Sequence, residues 1–229
     1  SAKYTGRILD VEVDNTSSIR VATATGGLWG YWGAFPIPLS DDLNTLAIGS
    51  FDTHPNDNNT ILVGTGEYYT GSPSYQKVGT GLWKTSNGGN TWSQITMSPT
   101  PQGFSRIRYS EHNPNIVHAV TVDGYYRSTN AGTNWTRVLT NSFCYDLAID
   151  PSNNNYVYVT YHGGMRRSTN AGQSFFAIGS NGSGFPQSEV GRISITVCQA
   201  NPTTLYTGVE LDSNDAMLGV FKSTNFGAN

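Results

Sequence analysis

"RSTNAGTNW" at 127–135 recurs as "RSTNAGQSF" at 167–175, as "KTSNGGNTW" at 84–92 and, without its closing aromatic, as "KSTNFGAN" at 222–229. The phrase sets Asn87, Asn130, Asn170 and Asn225 at equivalent places, 43, 40 and 55 residues apart. A period of about 40–50 residues marks an array in which one supersecondary unit is repeated and buries its faces against its neighbours. Each residue of the phrase has a mechanical task. The Asn side chain folds back onto turn amides, the Gly takes the positive φ of a tight turn, and the aromatic opens the next strand and packs.

Upstream of each phrase lies an alternating stretch, a polar turn and a second short stretch. The five versions are "RILDVEVDNTSSIRVAT" (7–23), "LAIGSFDTHPNDNNTILVGT" (46–65), "RIRYSEHNPNIVHAVT" (106–121), "CYDLAIDPSNNNYVYVT" (144–160) and "RISITVCQANPTTLYTG" (192–208). Period-two alternation and turn chemistry read these as strands a and b, with "GLWKT", "GYYRS", "GMRRS" and "GVFKS" as strand c. The units occupy approximately 1–44, 45–103, 104–141, 142–188 and 189–229 of a single domain. The first departs from the pattern. After "TGGLW" it runs on as "GYWGAFPIPLSDDLN" without the phrase, so Trp29, Tyr31, Trp32 and Phe35 are expected to supply apolar packing in its place.

Composition agrees with many short strands. Charged residues make up 13% of the chain, about half the usual ~25%, while Gly, Asn, Thr and Tyr are abundant. The formal charge of −3 and the scattered Lys and Arg give no footprint for nucleic acid. No apolar run approaches the ~18 residues of a membrane span, and the first ten residues hold no signal-peptide core. Cys144 begins one strand a and Cys198 ends the next, too far apart for a disulfide, so two thiols are expected.

Together the phrases resemble Asp boxes, also called BNR repeats, of pattern Ser/Thr-x-Asp/Asn-x-Gly-x-x-Trp/Phe, and the whole chain resembles bacterial propellers related to sialidases, sortilins and Asp-box xyloglucanases. Three boxes match fully: Thr85, Asn87, Gly89 and Trp92; Ser128, Asn130, Gly132 and Trp135; Ser168, Asn170, Gly172 and Phe175. The fourth has Ser223, Asn225 and Gly227. The resemblance implies an all-β propeller of four-stranded antiparallel blades with Asp boxes as c–d hairpins, five units visible, as part of a larger propeller. It also implies a secreted or cell-surface protein; sequons at Asn15, Asn58, Asn134 and Asn181 are compatible with that.

In such an architecture the boxes lie at the bottom, and the b–c and d–a loops ring the top of the central channel, where binding concentrates. The top loops carry Glu67, Tyr68, Tyr69 and Tyr75, and strand a begins with Arg7, Arg106 and Arg192, with Tyr145 and Asp146 in the fourth unit. Arg7 and Arg106 align when the a–b turns are superposed. Tyr beside carboxylates suits sugar faces or a protein partner, and converging Arg would grip an anion. The alternative is that each Arg pairs with a carboxylate such as Asp10 or Asp146 of a neighbouring blade.

Two functions stay open: a glycan- or protein-binding module, and a glycoside hydrolase or the non-catalytic part of one. Sialidases carry a Phe/Tyr-Arg-Ile-Pro motif, whereas "FPIP" at 35–38 has Pro36 in place of the Arg; the xyloglucanase acid falls on Ala24 or Thr25 of "ATATGGLW". Glu67, Asp146, Glu210, Asp212 and Asp215 offer carboxylates without marking a pair. No catalytic residue, metal set or cofactor is assigned. The expected partners are a glycan or an extracellular protein, with further blades of the chain or another copy as a further possibility.

Overall fold

The computed structural model describes residues 7–14, 18–33, 35–67, 77–140, 143–179 and 182–228. They form five antiparallel sheets, each a meander in chain order. The first holds β1 (Ile8–Val13), β2 (Ile19–Thr23), β3 (Gly27–Tyr31) and β4 (Ile37–Pro38). The second holds β5 (Ile48–His54), β6 (Asp57–Thr65), β7 (Leu82–Thr85) and β8 (Ser93–Ile95). The third holds β9 (Phe104–Tyr109), β10 (Val117–Thr121), β11 (Gly124–Ser128) and β12 (Thr136–Leu139). The fourth holds β13 (Cys144–Ile149), β14 (Val157–Tyr161), β15 (Gly164–Ser168) and β16 (Phe176–Ile178). The fifth holds β17 (Val190–Val197), β18 (Leu205–Leu211) and β19 (Met217–Ser223). The leading strands β1, β5, β9, β13 and β17 adjoin one another in that order, so the sheets stand as blades around a common channel. This is a β-propeller architecture.

The repeated phrase builds the turn after the third strand. Ser128 Oγ receives the N–H groups of Asn130 (3.3 Å) and Gly132 (3.0 Å), and Asn130 Oδ1 receives the Asn134 N–H at 2.8 Å. Thr85/Asn87 and Ser168/Asn170 repeat this pattern, and the Ser223 hydroxyl holds Asn225 and Gly227 in the same way. Gly132 has φ +81° and lies so close to the second sheet that a Cβ there would meet Leu62 Cδ1 at 2.7 Å. Each turn also leans on the first turn of its own sheet: Gly88, Ala131, Ala171 and Phe226 donate their N–H to the carbonyls of Asn59, Asn115, Asn155 and Thr203. Both turns therefore share one end of the sheet.

Sheet-to-sheet contact is apolar on the outside and polar at the channel. Trp135 packs with Leu62, Leu82, Val117, Ala119 and Tyr126 between the second and third sheets, and Phe175 meets Tyr125 edge-on at 4.8 Å between the third and fourth. At the middle strands Lys84, Arg127 and Arg167 reach across to the carbonyls of Ala131, Ala171 and Phe226 at 2.7, 2.6 and 2.5 Å. In the second, third and fourth sheets one cation thus caps the turn of the next. The two outer flanks of the stack stay open, with Val13 63% exposed on the first sheet and Val220 66% exposed on the fifth.

Two expectations change here. In the first sheet Phe35 is 80% exposed and Trp32 is also exposed; the apolar filling comes from Leu39 and Leu43, which are buried with Leu28 and Phe51. Short β4 leaves the ring-bearing segment outside the sheet, while Ser40 Oγ holds the Leu28 N–H at 2.7 Å. Arg7 does not align with Arg106. Pairing from the turn outward places Arg106 (opposite Val120) level with Asp10 (opposite Ala22), because the first turn between Val13 and Ile19 is shorter than that between Tyr109 and Val117. Cys144 and Cys198 are both thiols.

Candidate functional site

A leading strand at the channel has an edge with unpaired N–H groups, and buried N–H groups need partners. Here side chains of the preceding sheet supply them. Asp10 Oδ2 accepts from Phe51 N–H (3.4 Å), Glu12 Oε2 from Thr53 N–H (3.2 Å), Ser50 Oγ from Ile107 N–H (3.0 Å), Asp52 Oδ2 from Tyr109 N–H (2.5 Å) and Asp146 Oδ2 from Ile195 N–H (3.0 Å). The third sheet breaks the series by placing Arg106 and Arg108 at these positions. Arg108 grips Asp10 through both terminal nitrogens at 3.2 and 3.1 Å. Arg106 bridges Asp10 (3.3 Å) and Asp146 (3.1 Å). The guanidinium groups thus neutralise carboxylates that the staples would otherwise bury uncompensated.

Electrostatics divide these carboxylates. Burial works to raise the Asp10 carboxyl, but Arg108 and the Ser50 hydroxyl outweigh it and hold the group below its ordinary range. Asp52 is pushed up to about 8 by burial, with Glu12 adding repulsion and Arg108, 3.9 Å away, only partly offsetting both. Glu12 is raised by burial. Asp10, Glu12, Asp52, Arg108, Tyr109 and Glu111 line a cavity of about 520 Å³ at the turn end of the channel. Asp10 is expected from the sequence as a carboxylate partner for an Arg, whereas Glu12, Asp52, Arg108, Tyr109 and Glu111 are not singled out by it; their signal is the run of alternating polar residues in "LDVEV" and "SRIRY".

At the opposite, loop end the expected residues divide into three groups. Arg7 and Glu67 pair with each other across the first and second sheets. Arg106 and Asp146 join the channel network just described. Arg192 lies over the Tyr145 ring at 5.8 Å, and the Tyr145 hydroxyl stands 3.4 Å from His162 Nδ1. His162 Nε2 in turn faces Asp212 Oδ1 at 3.4 Å. Glu210, beside Arg192, Asp212 and Asp215, is raised by burial and by its hydrogen bond with Asp215. Tyr68, Tyr69 and Tyr75 lie outside the described residues. The residues of the repeated phrase lie at the far end, from the last residue of the third strand through the turn after it; their hydroxyl and Asn side chains bond within the turn, and the Trp92 indole N–H donates to the Leu39 carbonyl at 2.8 Å. Among the described residues no group of three His, Cys, Asp or Glu side chains is arranged to hold a metal ion, and no helix is long and apolar enough to cross a membrane.

Solved structures share this architecture. The GH74 xyloglucanase of Xanthomonas campestris superposes with a TM-score of 0.71 at 16% identity, over 96% of this chain and 36% of its own. The GH74 enzyme of Niastella koreensis gives 0.71 at 20% identity, over 95% of this chain and 35% of its own. YCF48 bound to the D1 peptide gives 0.59 at 15% identity, over 95% of this chain and 67% of its own. The chain thus spans about a third of the length of these GH74 enzymes. No family model matches the sequence, and no curated protein does. At these identities the likeness establishes the propeller fold.

Proposed function

We propose that this chain is a secreted or cell-surface Asp-box propeller module that binds a glycan at the loop end of its channel, its Ser/Thr-x-Asn-x-Gly turns being Asp boxes at the other end. The observation that carries the reading is the Arg192, Tyr145, His162 and Asp212 cluster. Tyr145 is buried and braces the exposed Arg192, His162 and Asp212, so that a cation, an imidazole and a carboxylate offer directional donors and acceptors, the means by which a neutral or acidic sugar is held. The likeness to GH74 propellers supports a carbohydrate ligand, and that to peptide-bound YCF48 keeps an extracellular protein as the alternative partner.

Binding is favoured over hydrolysis by what the carboxylates do. A glycosidase needs one carboxyl free to protonate and another free to attack or activate water. Asp10 and Asp146 are instead tied to backbone N–H groups and to Arg106. The hydrolase reading rests on two observations: at the turn end Asp52, raised to about 8, and Glu12 border the cavity of about 520 Å³, and at the loop end Glu210 is raised beside Asp212 and Asp215. A glycan array probed with the wild type and with Tyr145→Ala tests the proposal. Saturable signal that falls at least tenfold in the variant supports it; an array blank for both, or reducing ends released from the glycans, sinks it.

A further inference from the structure

Ser110, Asp150 and Cys198 donate their N–H groups to the carbonyls of Ile116, Tyr156 and Thr204, next to the second strand of their own sheets. Antiparallel pairing alternates between bonded and non-bonded residues. Tyr109, Ile149 and Val197, one place earlier, therefore turn their N–H groups away from that partner and towards the channel. The N–H of Tyr109 ends on Asp52, and that of Thr53 in β5 ends on Glu12, each carboxylate being borne by the preceding sheet. The matching places before Ile149 and Val197 hold Arg108 and Ala148. Neither supplies an acceptor: Arg108 turns back to Asp10 and to the carbonyls of Phe51 and Ile107, and Ala148 has no polar group. The Ile149 and Val197 N–H groups thus meet no acceptor among the described residues. Arg108, Ala148, Ile149 and Val197 all line one cavity of about 370 Å³ at the turn end of the channel. Both gaps are made by residues of the third and fourth sheets, so they do not depend on the outer flanks of the stack.

We propose that this cavity binds an extended peptide of a partner protein in which an aliphatic residue stands beside Lys or Arg. A strand residue points its N–H and C=O to the same edge, so Ile149 and Val197 each offer a donor beside an acceptor, the pair that one extended peptide residue completes. Leu147, Ile195 and Pro151 give the cavity an aliphatic wall for the neighbouring side chain. Charge selects the flanking residue. The Arg108 guanidinium is spent on Asp10, and Asp150 is tied to the Ser152 and Asn153 N–H groups of its own turn. Exposed Glu111 is left as the carboxylate facing an incoming ligand, which repels an anion and attracts a cation. The site stands apart from the loop-end cluster and does not depend on it.

The probe is a fluorescein-labelled pentapeptide amide, lysine–leucine–lysine between two glycines, titrated into the 229-residue protein and followed by anisotropy and by amide exchange read by NMR. It is compared with three altered peptides: alanine for the leucine, an N-methyl group on the leucine nitrogen, and glutamate for both lysines. It is also titrated into Ala148→Asp, which sets before Val197 the carboxylate that Asp52 sets before Tyr109 and so captures the Val197 N–H. Saturable binding of the first peptide, at least tenfold weakening by each alteration, and new exchange protection at Ile149 and Val197 are expected. Absence of binding, equal or tighter binding of an altered peptide, full binding by Ala148→Asp, or protection confined to the loop end would overturn the proposal. So would protection of the two amides by cellotetraose and not by the peptide. Because three of the comparisons alter only the peptide, misfolding of Ala148→Asp cannot imitate the result.

Discussion

The Ser50 hydroxyl in the second sheet donates to Asp10 Oδ2 in the first at 2.6 Å and accepts the Ile107 N–H of the third at 3.0 Å. One small side chain thereby joins three leading strands, and it is fully buried. Removing it leaves a buried N–H without its acceptor and takes a donor from a buried carboxylate. Leaving a buried polar group unsatisfied costs about 1–3 kcal/mol. Ser50→Ala is expected to lower stability by about 2 kcal/mol in urea unfolding, with an unchanged m-value; a change below about 0.5 kcal/mol would show that the staple contributes little.

The turns predict a ranking. Asn130→Ala loses the acceptor for the Asn134 N–H and the Ser128 hydroxyl, a cost of about 1–2 kcal/mol. Gly132→Ala meets both the positive φ and the side chain of Leu62, so it is expected to cost more. The comparison is made by thermal unfolding of the two variants side by side, and the reverse order would refute the role given to Gly132.

Two buried groups give stability opposite dependences on pH. His118, enclosed between Ser110 and Tyr125, has its imidazole lowered to about 3 by burial. The unfolded chain, with His near 6.5, therefore binds the proton that the folded one refuses, and stability falls as pH drops from about 6.5 towards 3. Asp52, raised to about 8, binds a proton in the folded state that the unfolded carboxyl releases, so its contribution falls as pH rises from about 4 to 8. Urea midpoints across this range are expected to peak at mildly acidic pH. Asp52→Asn removes the alkaline decline and leaves the acid one; an unchanged alkaline slope would contradict the assignment.

Cysteine reactivity separates the two thiols. Burial pushes Cys144 up to about 12, while Cys198 is partly exposed after β17. Native protein at pH 8 is expected to show one reactive thiol by DTNB and two in denaturant. Two equivalents under native conditions would contradict the buried placement of Cys144.

Much of this architecture was legible because it is local. The phrase at 127–135 needs only a hydroxyl, an Asn and a Gly at fixed spacing to form its turn, and "VHAVT" or "VYVTY" reads directly as a strand. The channel network was not legible in the same way. Whether Asp10, Ser50 and Arg106 face one another depends on turn lengths and on which side of each strand adjoins the next sheet; the short turn after Val13 was enough to misplace Arg7 against Arg106. The first sheet misled for a related reason. Trp32 and Phe35 look like core residues in sequence, yet the chain leaves β3 before it can bury them. The pairing of Tyr145 with Arg192 joins residues from two different sheets, which no single repeat encodes.

The most direct test of the account is calorimetric titration of the strongest array glycan into three proteins: wild type, Tyr145→Ala at the loop end, and Glu111→Gln at the turn end. The account predicts a measurable Kd for wild type, an unchanged value for Glu111→Gln, and at least tenfold weakening for Tyr145→Ala. Weakening by Glu111→Gln with full binding by Tyr145→Ala would place the ligand at the turn end and contradict it.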